Sequence, residues 1–252
     1  MALLHGPAGK WCEEQAILRS RKIASHIGVL CIPAMMLCGF ICGLAWGSPY
    51  AYLGAAGMCV VGLIFLRAIR RRSPLIGALS QERLHMLRGA EGEMAVGLAL
   101  QELDDDWHIF NNIQLERQSD LDHIVVGPGG VFCISTKSHR GWYVVTADGM
   151  THNGKPCSFA REAMGQTMQL KGRLEAMMGS GVPWITSIVA LPFGQIDNPI
   201  CGKVWLCNAD DLVRRIAPVN GPKPMSKAQV ERVVKVMEMI QNSAAAVYER
   251  AA

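Results

Sequence analysis

The pattern of polar and apolar positions divides the chain into two unlike parts. Residues 27–66 contain no Asp, Glu, Lys, Arg or His. A single span of a bilayer needs about 20 apolar residues, so this stretch holds two. Trp46-Gly47-Ser48-Pro49-Tyr50 breaks it, with turn-forming residues between aromatics suited to a lipid–water interface. The pattern therefore predicts spans at 27–46 and 50–66, joined as a hairpin.

After Pro74 and Gly77 the periodicity changes. Residues 81–103 read as a helix, with Glu93, Val96, Leu100 and Leu103 on one stripe. Extended segments follow at 107–115, 120–126, 131–137 and 142–146, the second and third joined by Gly127-Pro128-Gly129-Gly130. A helix is predicted over 159–178, with Ala163, Thr167, Leu170, Leu174 and Met177 as its stripe. Strands at 184–191 and 203–207 come next. Two helices close the chain, one from Ala209 and one from Ser226, where Ser226 and Gln229 form a capping box. The order predicts an α/β sandwich with a mixed sheet.

Composition agrees with this division. Charged residues make up 18% of the chain, against roughly 25% in an ordinary soluble domain. Arg19, Arg21 and Lys22 precede the apolar block, and Arg67, Arg70, Arg71 and Arg72 follow it. Positive flanks stay on the cytosolic side, so both ends of the hairpin and all that follows are expected there, at the inner (plasma) membrane. The absence of charge inside the spans argues against a transporter or ion path. Gly39 and Gly43 stand four apart, a close-packing spacing that serves either the hairpin itself or a homo-oligomer in the lipid bilayer. The expected layout is a cytosolic segment (1–26), the hairpin (27–66), a basic juxtamembrane linker (67–85), an α/β domain (86–217) and a C-terminal helix (218–252).

Nine cysteines lack the spacing of a disulfide framework or zinc site and fit a reduced cytosolic domain. The Gly-rich turn at 127–130 lacks the following Lys-Ser or Lys-Thr of a phosphate cradle, and Ser135 lacks a nucleophile-elbow context. The net charge of +4 gives only weak support for a nucleic-acid partner.

The hairpin at 120–137 carries the candidate chemistry. If Val126 and Val131 flank its turn, Ile124 faces Cys133 and Asp122 faces Ser135. Asp122 and Lys137 are then diagonal neighbours on one face. Taken alone, such a pair is more often a surface ion pair than a catalytic one.

Several segments resemble the nuclease-related (NERD) domain. These are Gly89-Ala90-Glu91-Gly92-Glu93 at a helix head, Leu121-Asp122-His123-Ile124-Val125-Val126 on one strand, Gly130 to Lys137 on the next, and Gln166 in a later helix. That family is similar to the PD-(D/E)xK nucleases. The resemblance implies a restriction-endonuclease-like sandwich, DNA as partner, and Mg²⁺ (or Mn²⁺) if the site is active. It implies Asp122 as a metal ligand, Glu93 as the first-helix carboxylate, Lys137 as the catalytic lysine and Gln166 as an orienting group. Ser135 departs from the pattern, since the family usually has an acid there and serine is a weaker, neutral metal ligand. Two outcomes follow. Glu93, Glu91, Glu116 or Asp120 compensates and the domain hydrolyses DNA, or the domain is a degenerate module that binds nucleic acid or scaffolds a membrane complex.

Overall fold

The computed structural model describes residues 1–45, 51–116, 119–147, 149–218 and 224–249. The expected turn at 46–50 lies outside them. The chain forms two units: residues 12–87, and residues 1–11 together with 88–252.

The first unit consists of parts of two long helices, α1 (Lys10–Ala45) and α2 (Ala51–Leu100). Arg19 on α1 pairs with Glu82 on α2 at 3.0 Å, so the two helices run back beside each other. Among the described residues one helix, Cys12–Phe40, is long and apolar enough to cross a membrane, with an 18-residue stretch of mean hydropathy 1.9. The expectation of two such helices is therefore met by one; the second apolar stretch is the start of α2. The basic juxtamembrane linker expected at 67–85 is helical, because α2 continues through Pro74 to Leu100. A proline deletes one backbone hydrogen bond, which a helix of this length absorbs. A Cβ placed on Gly39 or Gly43 meets nothing within 4 Å, so neither is a close helix contact among the described residues.

The second unit is an α/β sandwich. After β1 (Leu3–His5) and the two helices come β2 (His108–Glu116), β3 (Ser119–Gly127), β4 (Gly130–Thr136), β5 (Gly141–Thr146), β6 (Gly149–His152) and β7 (Lys155–Cys157). Then follow α3 (Phe159–Met178), β8 (Ile185–Ala190), β9 (Gly194–Ile196), β10 (Ile200–Cys201), β11 (Val204–Cys207), α4 (Ala209–Ile216) and α5 (Lys227–Glu249). The main sheet has the order β1-β2-β3-β4-β8-β11-β10. It is mixed, as expected: β2, β3 and β4 pair antiparallel, whereas β4–β8 and β8–β11 are parallel. One face packs on α3 and α5 through Leu170, Leu174, Val233 and Met237. The other packs on α2 and α4 through Val96, Leu100, Leu212 and Ile216. The α5 start is capped as the sequence predicts, with the Ser226 N–H donating to Gln229 Oε1 at 2.8 Å. Because α5 lies in the core, it belongs to this unit and is no appendage.

Two features differ from the sequence reading. The stretch at 142–146 is not the fourth strand of the main sheet; it belongs to a second sheet of order β7-β6-β5-β9. The N-terminal residues also join the domain, because β1 pairs parallel to β2 from Leu3 opposite His108 to His5 opposite Phe110. Asn111 Nδ2 donates to Gly6 O at 2.7 Å, and Gln241 Nε2 to His5 O at 3.0 Å. A three-residue edge strand carries too little periodicity to be recognised.

Candidate functional site

The β3–β4 register is the one the alternation predicts. Val126 faces Val131, Ile124 faces Cys133 and His123 faces Ile134, so the next pair is Asp122 with Ser135. At that point the hairpin changes character. Asp122 Oδ2 accepts a hydrogen bond from the Thr136 N–H at 2.6 Å, the short contact of a charge-assisted bond. Protein atoms crowd the carboxylate, and this desolvation pushes its pKa up to about 6. The Thr136 N–H and the Lys137 charge pull the other way, Asp120 adds to the rise, and Ser135 favours the ionised form slightly. Ser135 Oγ is buried and has no hydrogen-bond partner of normal geometry among the described residues.

Lys137 follows the end of β4, where its N–H donates to Ala190 O at 2.9 Å. Its ammonium pairs with Glu162 Oε2 at 3.1 Å and lies 5.2 Å from the centre of the Phe159 ring. Both partners come from the first turn of α3. Glu162 also bonds Ser158 Oγ, and that hydroxyl, with Lys137, holds its carboxyl below the usual range. The lysine is thus a cation fixed against α3.

Gln166 lies one turn after Glu162 on α3, and its Nε2 donates to Asp120 O at 3.2 Å. It therefore ties α3 to the backbone two residues before Asp122. Asp120 is partly buried, which raises its pKa, and its charge acts on Asp122. Glu93 is buried on α2. The helix comes close to the end of β4 here because Gly92 has no side chain; a Cβ would stand 2.7 Å from Ser138 Cβ. So the structure brings Asp122, Ser135 and Lys137 to one strand end, places Gln166 on the backbone beside them, and buries Glu93 in α2. Glu162 and Phe159, which hold the lysine, were not singled out in the sequence. Their one cue is their place at the head of a helix that follows the lysine strand.

His123, next to Asp122, plays a different part. It is fully buried, Nδ1 lies 2.7 Å from Asn111 Oδ1, and burial lowers its pKa to about 3. The ring is neutral at physiological pH. It braces Asn111, which in turn holds Gly6 and the N-terminal segment.

These donors can be tested against the divalent ion that the resemblance implies. Mg²⁺ is usually held by one or two carboxylates, with waters and substrate oxygens completing its shell. Here the strand end offers Asp122, already bonded to Thr136, the partly buried Asp120 two residues before it, and the uncharged hydroxyl of Ser135. Among the described residues no three His, Cys, Asp or Glu side chains converge as a metal cage requires. The set offers Asp122 and Asp120 as the carboxylates that would hold such an ion, with water and substrate oxygens completing its shell, and is short of the acid whose place Ser135 takes. What it offers is a fixed, partly exposed cation, Lys137, above a carboxylate that exchanges its proton near pH 6.

The family model described as nuclease-related domain, NERD, matches residues 88–192. That span runs from the end of α2 to just past β8 and includes Glu93, Asp122, Ser135, Lys137 and Gln166. No curated protein and no solved structure matches the chain.

Proposed function

We propose, from the nuclease-related domain at residues 88–192, that this chain is a membrane-anchored module that binds DNA through a degenerate nuclease site. The observation that carries this reading is Ser135 standing where the register puts the partner of Asp122, as a buried hydroxyl instead of a carboxylate. Without an acid at Ser135 the strand end has less of the charge that holds Mg²⁺ or Mn²⁺ during hydrolysis. The test is cleavage of plasmid and single-stranded DNA by the full chain, with either metal, beside an Asp122→Ala/Lys137→Ala control. The expected result is no cleavage above that control and a gain of metal-dependent cleavage in Ser135→Glu. Wild-type cleavage that the double variant abolishes would overturn the reading.

That outcome would establish the second reading, metal-dependent phosphodiester hydrolysis. Its support is Asp120, two residues from Asp122 on the same strand and close enough to raise its pKa. In that reading Asp120 supplies the missing charge and Gln166 fixes its backbone.

The anchor is read from chain topology. The chain leaves the α/β unit at Trp11 and re-enters it at Arg88, because β1 is a strand of that unit's sheet. Anything between these points crosses a membrane an even number of times. One crossing by the apolar part of α1 that follows Lys22 therefore requires a return, and α2 runs back beside α1. Both termini then lie on one side, the cytosolic side by the positive flanks. Tags at the two ends should be digested together in inside-out vesicles and protected together in right-side-out ones. Opposite protection of the two tags would sink this topology. Gly39 and Gly43 remain open for a second copy of the hairpin.

A further inference from the structure

The small sheet has an outer face that the candidate site does not use. Along β5 the burial alternates: Tyr143 is fully buried, whereas Trp142 is 61% exposed and Val144 40% exposed. In register, Trp142 stands beside Gln195 on β9 and Val144 beside Thr151 on β6. Two residues before Trp142, Arg140 lies over the Phe193 ring at 5.3 Å, and Phe193 is two residues before Gln195. Arg140 immediately precedes β5 and Phe193 immediately precedes β9, and Gly141 pairs with Gly194, so the Arg140–Phe193 pair stands at the end of the small sheet where Trp142 begins. Arg140 is exposed and makes no ion pair with a described residue. The nearest acid in the register, Asp197, is turned to the backbone, where its Oδ1 accepts from the Val145 N–H at 3.0 Å.

Trp142 presents its indole to solvent beside the exposed Val144 on the same strand face. Next to a guanidinium already stacked on an aromatic ring it has a specific use. Bases of a single strand stack on aromatic faces, and an unpaired arginine beside them meets the phosphates. A duplex keeps its bases stacked inside and offers an indole nothing comparable. We propose that this face is a stacking platform for single-stranded nucleic acid, with Trp142 as the base-stacking residue and Arg140 as the phosphate contact. The proposal rests on the nucleic-acid reading above and adds to it the strandedness of the partner and a second surface.

The experiment is fluorescence anisotropy of the detergent-solubilised full chain with a labelled thymidine oligonucleotide and, separately, a labelled mixed-sequence duplex. The wild type should bind the single strand more tightly. Trp142→Ala should weaken single-strand binding about tenfold and leave duplex binding unchanged, the size of effect expected for one stacked base. Trp142→Phe should keep most of the affinity, and Arg140→Ala should lower the salt dependence by about one phosphate contact. Both side chains are exposed, so each variant should keep the wild-type circular dichroism spectrum. Unchanged single-strand binding in Trp142→Ala overturns the platform while leaving the nucleic-acid reading intact. Absence of binding to either probe overturns both. Loss of self-association in Trp142→Ala, with oligonucleotide binding unaltered, would identify the face as a protein contact and overturn the proposal.

Discussion

The two ends of the β3–β4 hairpin differ sharply although one register governs both. Near the turn, Val126 meets Val131 and Ile124 meets Cys133, all of them buried in the core beneath α3 and α5. At the other end the same face presents Asp122 and Ser135. The first end gains from burying apolar surface. The second desolvates a carboxylate and strands a hydroxyl, both of which oppose folding. The hairpin therefore holds its polar end in place by the packing of its apolar end. This is the usual relation between a site and the scaffold that fixes it.

The largest effect should come from the apolar end. Ile124 is fully buried in the core cluster. Ile124→Ala should destabilise the α/β unit by about 2–5 kcal/mol, through lost transfer energy and the cavity left behind. Urea unfolding of the detergent-solubilised chain, followed by tryptophan fluorescence, measures it. A loss below about 1 kcal/mol would mean that the apolar end does not carry the hairpin.

The contrast was legible in the sequence because strand alternation has a period of two and the turn at 127–130 fixed the register. The helix over 159–178 and the start of the last helix were equally legible from a stripe and a capping box, although Met178 and not the expected Met177 closes the buried stripe. Other parts were not. The edge strands β1, β9 and β10 have two or three residues each, too short for alternation to register. The lysine's partners were hidden for another reason. Glu162 reaches Lys137 across 25 residues, a contact that depends on how α3 lies over the sheet. Sequence pattern gave the face of each residue but not its neighbour from another layer. Pro74 and Gly77 likewise mark a change of pattern in the sequence, yet α2 passes through both without a break.

A smaller effect, and one of opposite sign, is expected at the polar end. The pKa of Asp122 in the folded chain is about 6, above its ordinary 3.8, so the folded state holds the proton more tightly than the unfolded state. The resulting destabilisation is full above pH 6, shrinks as the pH falls and vanishes below 3.8. Asp122→Asn should therefore raise stability by about 2 kcal/mol at pH 8, and by little at pH 4. His123 runs against this. Its pKa is lowered to about 3, so the unfolded chain takes up a proton below pH 6.5 that the folded chain refuses, and stability falls with acidification. Thermal melts of wild type and variant across pH 4–8 separate the two, because only the Asp122 contribution differs between the proteins. A gain that grows toward acid would reverse the assignment.

The smallest change distinguishes two views of Ser135. If its hydroxyl is a stranded polar group, Ser135→Ala removes a desolvated oxygen and loses only its slight interaction with Asp122, and stability should rise by up to about 1 kcal/mol. Ser135 also favours the charge on Asp122, so the same variant should move the Asp122 titration slightly upward. The two readouts are independent: one is an unfolding free energy, the other a carboxyl chemical shift followed by NMR against pH. A hydroxyl held by a tightly bound water would give a loss of stability instead, of about 1 kcal/mol or more. That loss would make Ser135 a satisfied polar group, and would leave the raised Asp122 and, among the described residues, the unpartnered His123 Nε2 and Thr136 Oγ1 as the costs the hairpin carries.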